Sequence, residues 1–372
     1  MDITRRKFLA GSAAAATLAG CGTAANSAAK AAADAAALEA SKKWFKEAQF
    51  GMMAHFGLYS LLGGEWKGER CKHRYGEWIM HANAIPLKEY AALAKGFNPV
   101  CFDPLDWMKR ARDAGMKYFV ITSKHHDGFA LYRSKVSKYN VVDATPFRRE
   151  IVGELAEACR TVGIRFGLYY SQDLDWSDPN GGGRNVVYDH YVRYLGGKRI
   201  CKWGNDWDWP DATGYDFQRY LDEKSMPQVE EILTQYGDLC LIWFDVPETL
   251  SRKQSEDFVR LVRRHQPGCL ISGRIGHGLG DYETPGDNSI AKKTEPGKLY
   301  ETVGTMNDSW GYCPTDTHYR SVKDILAIKE KCRSIGSNYM LNVGPDPLGR
   351  FPVAAIDILK GLEAQRSSSN RI

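Results

Sequence analysis

The sequence lacks the motifs that mark the common metal and nucleotide sites. Its nine cysteines form no C-x-x-C pair, which excludes a zinc-finger arrangement. No H-x-H or H-E-x-x-H motif is present, so the usual signatures of a catalytic zinc site are missing. No G-x-G-x-x-G lies between a strand-like and a helix-like segment, which disfavours a dinucleotide-binding sheet. We therefore expect neither a metal ion nor an organic cofactor.

The sequence also has little net charge and no long apolar run. A net charge of +5 is small for 372 residues, and the Lys and Arg residues are spread along the chain, which argues against a nucleic-acid partner. The apolar run near the N-terminus is too short and too rich in Ala and Gly for a good transmembrane helix. With 43% hydrophobic and 26% charged residues, the chain has a globular composition.

The N-terminus, "TRRKFLAGSAAAATLAGC", has the features of a targeting signal. Arg5 and Arg6 precede a short apolar run, so residues 1–20 resemble a twin-arginine export signal. The end of this run resembles a bacterial lipobox, which predicts lipidation of the Cys21 sulfur and a periplasmic or cell-envelope lipoprotein. Cleavage by the general signal peptidase and a chance basic start are the alternatives. We interpret the Ala-rich residues 21–40 as a tether and 41–372 as the catalytic domain.

From Trp44 onward, short β-rich segments alternate with longer amphipathic ones. Several of the strand-like segments are nearly continuous apolar runs, as in strands buried on both faces of a parallel sheet. The alternation over about 330 residues predicts an α/β fold, a (β/α)8 TIM-like barrel, rather than an open sheet. The eight predicted strands begin at Phe50, Tyr118, Arg165, Leu239, Leu270, Gly280, Glu301 and Asn338.

Functional groups of such barrels sit at the C-terminal ends of the strands. Polar and aromatic side chains at those ends predict a polar pocket with aromatic walls. The residues selected in this way are His55, His125, His126, Asp127, Tyr169, Asp245, Arg274, the carboxylates of "YETPGD", and Asn342.

Two of these strand ends suggest specific chemistry. In "LCLIWFD" a buried strand ends at Asp245, which predicts a rigidly held pocket carboxylate, although a helix cap or a loop carboxylate is the plainer reading. In "TSKHHDGFALY" the adjacent His125 and His126 can reach one ligand only if the strand has ended or bulged. Paired imidazoles suit sugar hydroxyls, whereas a metal-dependent hydrolase using His125, His126 and Asp127 would need further ligands.

The ordered segments "FGMMAHFGLYS", "GEWIM", "KYFVITSKHHDGFALY", "IRFGLYYS", "LCLIWFD" and "LNVGPDPLGRFP" resemble glycoside hydrolase family 29, the α-L-fucosidases. The resemblance runs from about Trp44 to the C-terminus. It implies an exo-acting, retaining hydrolase that removes terminal α-L-fucosyl or fucose-like residues from glycans without a metal. Many relatives continue into a C-terminal β-sandwich, and we expect none here. The resemblance does not indicate an oligomeric state.

Matching residues to the family assigns expected roles. Asp245 matches the nucleophile, and His55, His125 and His126 match ligands of the fucose hydroxyls. Glu77 and Trp78 resemble the Glu-Trp pair that holds the sugar. Glu65 and Trp66 are a second candidate for that contact, and the other matched pocket positions are Tyr169, Trp243, Arg274 and Trp310.

The sequence departs from the family at the proton donor. Family members often read D-Y-x-T-P-E, whereas this chain has Gly286 in place of the final Glu. Asp287, one residue further on, is the preferred acid/base candidate, and Glu283 is a weaker one because its strand parity points it elsewhere. Glu65, Glu248 and Glu301 are outside candidates. The alternative function is a carbohydrate-binding barrel that does not hydrolyse its ligand.

Overall fold

A computed structural model describes residues 12–73, 75–184, 193–195, 198–200 and 202–369 of the chain, with side chains for 26–73, 75–184 and 202–368. The Arg5-Arg6 pair and the Cys21 side chain, on which the export and lipidation predictions depend, lie outside this description. Within the described ranges, no helix combines the length and the hydropathy needed to cross a membrane.

Eight parallel strands form the central sheet, and each lies in or overlaps one of the eight predicted segments. They are β1 (Phe50–Ala54), β2 (Tyr118–Lys124), β3 (Arg165–Tyr170), β4 (Leu241–Phe244), β5 (Leu270–Ile271), β6 (Tyr282–Glu283), β7 (Leu299–Thr305) and β8 (Ser337–Val343). Their order is β6-β7-β8-β1-β2-β3-β4-β5, so neighbours in space are neighbours in sequence. A parallel bridge between Ser272 and Tyr282 joins β5 to β6. The predicted (β/α)8 barrel is confirmed.

Helices surround the barrel, as the longer amphipathic segments between the strands predicted. The long helices are α1 (Ser12–Ala48), α2 (Pro104–Asp113), α3 (Ile151–Val162), α4 (Met226–Gln235), α5 (Arg252–His265), α6 (Val322–Ser334) and α7 (Val353–Ser369). Shorter helical segments are Tyr59–Leu62, Gly76–Trp78, Ile79–Ala82, Leu87–Ala92, Leu93–Gly96, Phe217–Tyr220, Leu221–Ser225 and Gly273–Ile275. Two hairpins pair Glu65–Trp66 with Glu69–Arg70 and Arg193–Leu195 with Lys198–Ile200.

Local chemistry accounts for several helix boundaries. Ser251 and Ser321 each form a capping box with the residue three positions later, which satisfies free amides at the starts of α5 and α6. The segment before α4 has a π-helical turn at Leu221–Ser225, directly ahead of Pro227. Proline has no amide hydrogen for the regular helical bond, so the preceding turn is the natural place for this widened geometry.

The strand that carries the two adjacent histidines ends in an irregularity. Along β2, the pairing with β3 shifts register between Thr122 and Lys124, immediately before His125. Lys124 is fully buried there, and its Nζ donates to Asp175 (2.9 Å) and Tyr220 (3.0 Å). The imidazole centroids of His125 and His126 are only 4.2 Å apart. The bulge therefore supplies the geometry that two adjacent histidines need to face one site.

The end of helix α1 closes the barrel at the N-terminal ends of the strands. Phe45 is 1% exposed, and its ring lies 4.8 Å from that of Tyr282 and 5.9 Å from that of Tyr118. The Phe45 carbonyl accepts a hydrogen bond from Asn338 Nδ2 of β8 (2.9 Å). Residues 21–40, the predicted tether, lie within α1, and Leu38 packs against the core.

Replacing Phe45 with Ala should therefore lower the free energy of unfolding by about 3–5 kcal/mol, because it removes a buried ring and leaves a cavity. Denaturant unfolding measures this change. Val353→Ala is the control, since Val353 is 75% exposed and its truncation should change stability by no more than about 0.5 kcal/mol. Equal effects of the two substitutions would contradict the closing role of Phe45.

Candidate active site

A pocket opens at the C-terminal ends of the barrel strands, where the sequence predicted one. Histidine, carboxylate, guanidinium and indole groups from several strand ends converge on it. The residues that line it are Met53, His55, Glu77, Trp78, His125, Trp243, Asp245, Arg274, Asp287 and Trp310. Nine of these ten were predicted site residues, and Met53 is the addition.

Asp245 follows the last residue of β4 and is held from three sides. Its Oδ2 accepts a hydrogen bond from Tyr169 Oη (2.8 Å), and its Oδ1 accepts one from Arg274 Nη1 (2.8 Å). Its backbone N–H donates to Gln172 Oε1 (2.8 Å). The next residue, Val246, has a φ of 51°, a left-handed conformation that is costly for a β-branched side chain. The surrounding structure thus imposes one position on this carboxylate.

Arg274 joins Asp245 to Asp287. While its Nη1 binds Asp245, its Nη2 donates to Asp287 Oδ1 at 2.5 Å, so one guanidinium holds both carboxylates. Burial acts to lower the pKa of Arg274, but the two carboxylates outweigh it and raise that pKa above its usual value. The Asp245 side chain is 11% exposed and that of Asp287 is 29% exposed, which puts Asp287 nearer the mouth of the pocket.

Gly286 has a backbone role in placing Asp287. Its φ is 123°, a conformation that L side chains rarely adopt, although an added Cβ would meet only Ser289, at ordinary contact distance. The chain turns here, and Asp287 then forms an isolated parallel bridge with Val303 of β7. The glycine that replaces the family's usual Glu is therefore part of the turn that brings the next carboxylate to Arg274.

The pocket histidines are neutral, and hydrogen bonds define how two of them are oriented. Burial lowers the pKa of His55 to about 4 and holds those of His125 and His126 well below the usual value. His55 Nδ1 lies 2.7 Å from Asn342 Oδ1, and His126 Nδ1 lies 2.5 Å from Ser171 Oγ. Asn342 Nδ2 and Ser171 Oγ donate elsewhere, so both imidazoles carry their proton on Nδ1 and keep Nε2 as an acceptor.

Other polar atoms around the pocket have no protein partner. Among the described side chains, the buried His125 Nδ1 and Trp310 Nε1 make no hydrogen bond. His126 Nε2 lies 3.6 Å from Asp245 Oδ2, and neither of these two acceptors satisfies the other. A buried polar atom without a partner is costly, so the unpartnered atoms on the pocket side chains are suited to a polar ligand.

Glu77 lies at the base of the Gly76–Trp78 turn and is 1% exposed. Its Oε2 accepts hydrogen bonds from the Gly311 amide (2.8 Å) and from Ser309 Oγ (3.4 Å). Burial nevertheless raises the pKa of Glu77 to about 8. The neighbouring Trp78 packs edge-on against His126 with ring centroids 5.1 Å apart.

The raised pKa of Glu77 predicts a pH dependence of stability. In the unfolded chain Glu77 ionises near 4.5, so between pH 4.5 and 8 the unfolded state binds fewer protons and stability falls as pH rises. From pH 6.5 to 8 this contributes a loss of about 2 kcal/mol. The pocket histidines act in the opposite direction, because their folded pKa values are lowered and the unfolded chain binds more protons around pH 6.5 and below. They offset part of the Glu77 effect in the wild type and act alike in a Glu77 variant.

Glu77→Gln should flatten that part of the profile while keeping the acceptor for Gly311. Denaturant unfolding at pH 6.5 and pH 8 of both proteins tests this. The same pH-dependent loss in the wild type and in the variant would contradict the neutral, buried Glu77.

Several predicted residues lie away from the pocket. Glu65 is exposed on the first hairpin, and Trp66 beside it stacks under Lys67. Glu283 Oε2 packs against Gly273, and Glu248 is exposed in the loop after β4. The positions of these four side chains do not support contact with Asp245.

Asp127 and Tyr169 have defined partners near the site. Asp127 turns into the protein, where it accepts a hydrogen bond from Tyr90 Oη (2.9 Å). In the part of the chain that the structure describes, no three His, Cys, Asp or Glu side chains form a metal-ligand cluster. Tyr169 does reach Asp245, as described above, and burial raises its pKa well above the usual value.

Two residues that orient the site were not selected from the sequence. Gln172 is fully buried, and besides binding the Asp245 amide its Nε2 donates to the Arg274 carbonyl (3.1 Å). The Ser171 hydroxyl oxygen accepts a hydrogen bond from His126 Nδ1. Both lie just beyond the end of β3, in "YYSQD", and that position was the only signal that could have found them.

Comparison with known proteins gives consistent results. The family profile described as alpha-L-fucosidase matches residues 17–364. Tissue alpha-L-fucosidase from Bos taurus is 30% identical over 324 residues, which cover 81% of this chain and 62% of that protein. This chain thus spans less than two thirds of the length of that relative.

Solved structures show closer similarity. The alpha-L-fucosidase AlfC from Lactobacillus casei, in its unliganded form, is 48% identical with a TM-score of 0.82, covering 89% of this chain and 99% of AlfC. An alpha-L-fucosidase from Vibrio sp. strain EJY3 is 33% identical with a TM-score of 0.79, covering 89% of this chain and 56% of that one. An Asp-to-Ala variant of AlfC has been solved with 4-nitrophenyl α-L-fucopyranoside and with Fucα(1,6)GlcNAc.

Proposed function

This chain belongs to the α-L-fucosidase family, glycoside hydrolase family 29, and we propose on that basis that it is an exo-acting, retaining α-L-fucosidase. One observation carries the proposal. Asp245 and Asp287 share the Arg274 guanidinium at the C-terminal rim of the barrel, in a pocket that they line together with histidine and indole side chains. Retaining glycosidases need two carboxyl groups about 5–5.5 Å apart, and a shared guanidinium favours so close a pair.

Asp245 is the proposed nucleophile. In the first step its carboxylate oxygen forms a bond to the anomeric carbon while the bond from that carbon to the leaving oxygen breaks. Asp287, nearer the mouth, must first take up a proton from solvent although Arg274 favours its ionised form. It then donates this proton to the leaving oxygen, so the aglycone departs as a neutral alcohol. Tyr169 donates to one oxygen of Asp245 and Arg274 donates to the other. Each oxygen therefore keeps a free lone pair while the side chain is held in place.

The second step reverses the roles. Asp287, now ionised, takes a proton from a water molecule, whose oxygen bonds to the anomeric carbon as the bond to Asp245 breaks. The ester intermediate removes the negative charge of Asp245. Arg274 then has Asp287 as its remaining ionised partner, which stabilises the base form needed for this step.

The walls of the pocket fit the proposed sugar. Fucose offers hydroxyl groups on a ring that also carries a methyl group, so it needs acceptors and donors beside an apolar surface. The Nε2 acceptors of His55 and His126, the unpartnered nitrogens of His125 and Trp310, and Glu77 supply the polar contacts. Trp78, Trp243 and Met53 supply apolar surface.

Turnover assays with two substrates test the proposal. The wild-type protein should release fucose from 4-nitrophenyl α-L-fucopyranoside and from Fucα(1,6)GlcNAc, the two compounds bound by the AlfC variant. Proton NMR of the first-formed fucose should show the α-anomer. If calorimetry shows that fucose binds but neither compound is cleaved, a carbohydrate-binding barrel is correct instead. Release of the β-anomer would refute the retaining mechanism.

We further propose export to the cell envelope and lipidation at Cys21, supported by the order of Arg5-Arg6, the apolar run and the lipobox-like end. In a bacterial host the full chain should fractionate with membranes, and Cys21→Ala should shift it to the soluble fraction. Membrane association that is unchanged in Cys21→Ala would exclude the lipid anchor.

A further inference from the structure

Glu301 is a buried carboxylate beneath the pocket. It lies on β7 and is 0% exposed. Each of its oxygens accepts one hydrogen bond: Oε2 from Tyr118 Oη (2.6 Å) and Oε1 from Trp243 Nε1 (2.9 Å). Glu301 therefore lies inside the barrel, whereas a proton donor must lie nearer the mouth of the pocket.

Trp243 connects Glu301 to the catalytic carboxylate. One face of the indole stacks on Tyr169, with ring centroids 5.6 Å apart and planes 18° from parallel. The Arg274 guanidinium lies over the same ring system, 4.6 Å from its centroid. Tyr169 and Arg274 are the two side chains that bind the oxygens of Asp245. A shift or rotation of the indole would therefore disturb both supports of the carboxylate.

We propose that Glu301 is a positioning residue, which fixes the Trp243 indole and through it the Tyr169 and Arg274 groups that hold Asp245 for reaction. This inference rests on the proposed function, because the reaction it concerns is the attack of Asp245. It assigns Glu301 no contact with the substrate. The indole has one N–H donor and Glu301 is its only acceptor, so the orientation of the ring depends on this bond.

The surroundings of Glu301 make its ionisation matter. The titratable or charged groups that face it are Tyr118 of β2, Cys240 before β4, Arg274 after β5 and Tyr282 of β6. Only Arg274 among these is a cation. Burial raises the pKa of Glu301 to about 7. Ionised Glu301 accepts from both Tyr118 and Trp243, whereas protonated Glu301 must either place its proton on the Tyr118 hydroxyl oxygen, reversing that bond, or give up one of its two acceptor contacts.

Three variants test the inference. Glu301→Met removes the acceptor and should lower kcat/KM for 4-nitrophenyl α-L-fucopyranoside by up to about 100-fold, the cost of a misplaced reacting group. Trp243→Phe keeps a ring but loses the N–H. The double variant should be about as slow as the slower single variant, because both substitutions break the same bond. Losses that multiply in the double variant would overturn the inference.

Glu301→Gln removes only the ionisation and keeps an acceptor for the indole. The wild-type activity should rise with pH through about 7 as Glu301 ionises, and this rise should be absent in Glu301→Gln. Tyr118→Phe is the matched control, since it removes the other hydrogen bond of Glu301 and leaves Trp243 bonded. Its pH profile should move to higher pH, because the bond that is lost lowers the pKa of Glu301 in the wild type. Above the rise it should keep activity within about twofold of the wild type. A pH profile that is unchanged in Glu301→Gln would count against the role.

A readout that does not need turnover separates this inference from the proposed function. The near-ultraviolet circular dichroism of wild type minus Trp243→Phe isolates the signal of the immobilised indole. Glu301→Met should lose that signal, and Tyr118→Phe should keep it. If the wild type cleaves no fucoside, the proposed function fails, yet this comparison still decides whether Glu301 orders Trp243. Retention of the signal in Glu301→Met would refute the inference.

Discussion

Replacing Asp245 with Ala is expected to lower kcat on both fucosides by a factor on the order of 10⁴ to 10⁶, the range seen when a nucleophile is removed from an enzyme. Among the described carboxylates, only Asp245 and Asp287 bind the Arg274 guanidinium, and Asp287 lies nearer the mouth of the pocket. The loss should not depend on the leaving group, because the bond to Asp245 must form whatever departs. Initial rates on 4-nitrophenyl α-L-fucopyranoside and on Fucα(1,6)GlcNAc measure it.

Two further variants show whether the loss of activity in Asp245→Ala is due to the missing carboxylate. Asp245→Asn keeps the side-chain volume and removes the charge, so it should be as inactive as Asp245→Ala if the carboxylate itself reacts. Glu248→Ala is the control, because Glu248 is an exposed carboxylate in the same loop and its loss should leave kcat unchanged. Calorimetry should show that Asp245→Ala still binds fucose. Residual activity above about 1% of wild type in Asp245→Ala would identify another nucleophile.

Replacing Asp287 with Ala should separate the two substrates. A general acid contributes about 10²- to 10⁴-fold, and we expect that loss of kcat/KM on Fucα(1,6)GlcNAc, whose leaving group is a poor one. The loss on 4-nitrophenyl α-L-fucopyranoside should be much smaller, because nitrophenolate departs without a proton. The substitution also leaves Arg274 with Asp245 alone, so a small common loss on both substrates is expected.

Glu283→Ala is the matched control for Asp287→Ala, since both carboxylates belong to "YETPGD" and only Asp287 reaches the pocket. It should leave the ratio of the two rates at its wild-type value. If Glu283→Ala, and not Asp287→Ala, depresses the natural substrate selectively, the acid has been misassigned. Equal losses on both substrates in Asp287→Ala would mean that this residue only supports Arg274.

The strands of the barrel were predictable because their signal is local. The first four residues of "YFVITSK" form an apolar run, and β2 is buried at every residue. Asp245 was predictable for the same reason, as the first polar side chain after such a run. The bulge in β2 could be stated only as a condition on His125 and His126, because pairing register is set between strands and not within one.

The rest of the site depends on contacts between distant segments. Gln172 binds the backbone of Asp245 and of Arg274, which lie 73 and 102 positions away in the sequence. No local sequence pattern predicts a contact over that separation. Gly286 was recognisable as a missing Glu, yet its turn conformation, which delivers Asp287, belongs to the folded backbone. Glu301 was considered as a proton donor, whereas its partners Tyr118 and Trp243 place it below the pocket.

The position of helix α1 has a practical consequence for presentation of the pocket. Its last turns close the barrel at the ends where the strands begin, while Asp245 and Asp287 lie where the strands finish. A support coupled through the exposed side chains of α1 would therefore hold the opening outward, towards glycans on a facing bead or cell. Enzyme immobilised in this way should cleave surface-bound fucosides, whereas coupling through residues of the Glu65–Arg70 hairpin, on the opening side, should obstruct large glycans before it affects small aryl fucosides.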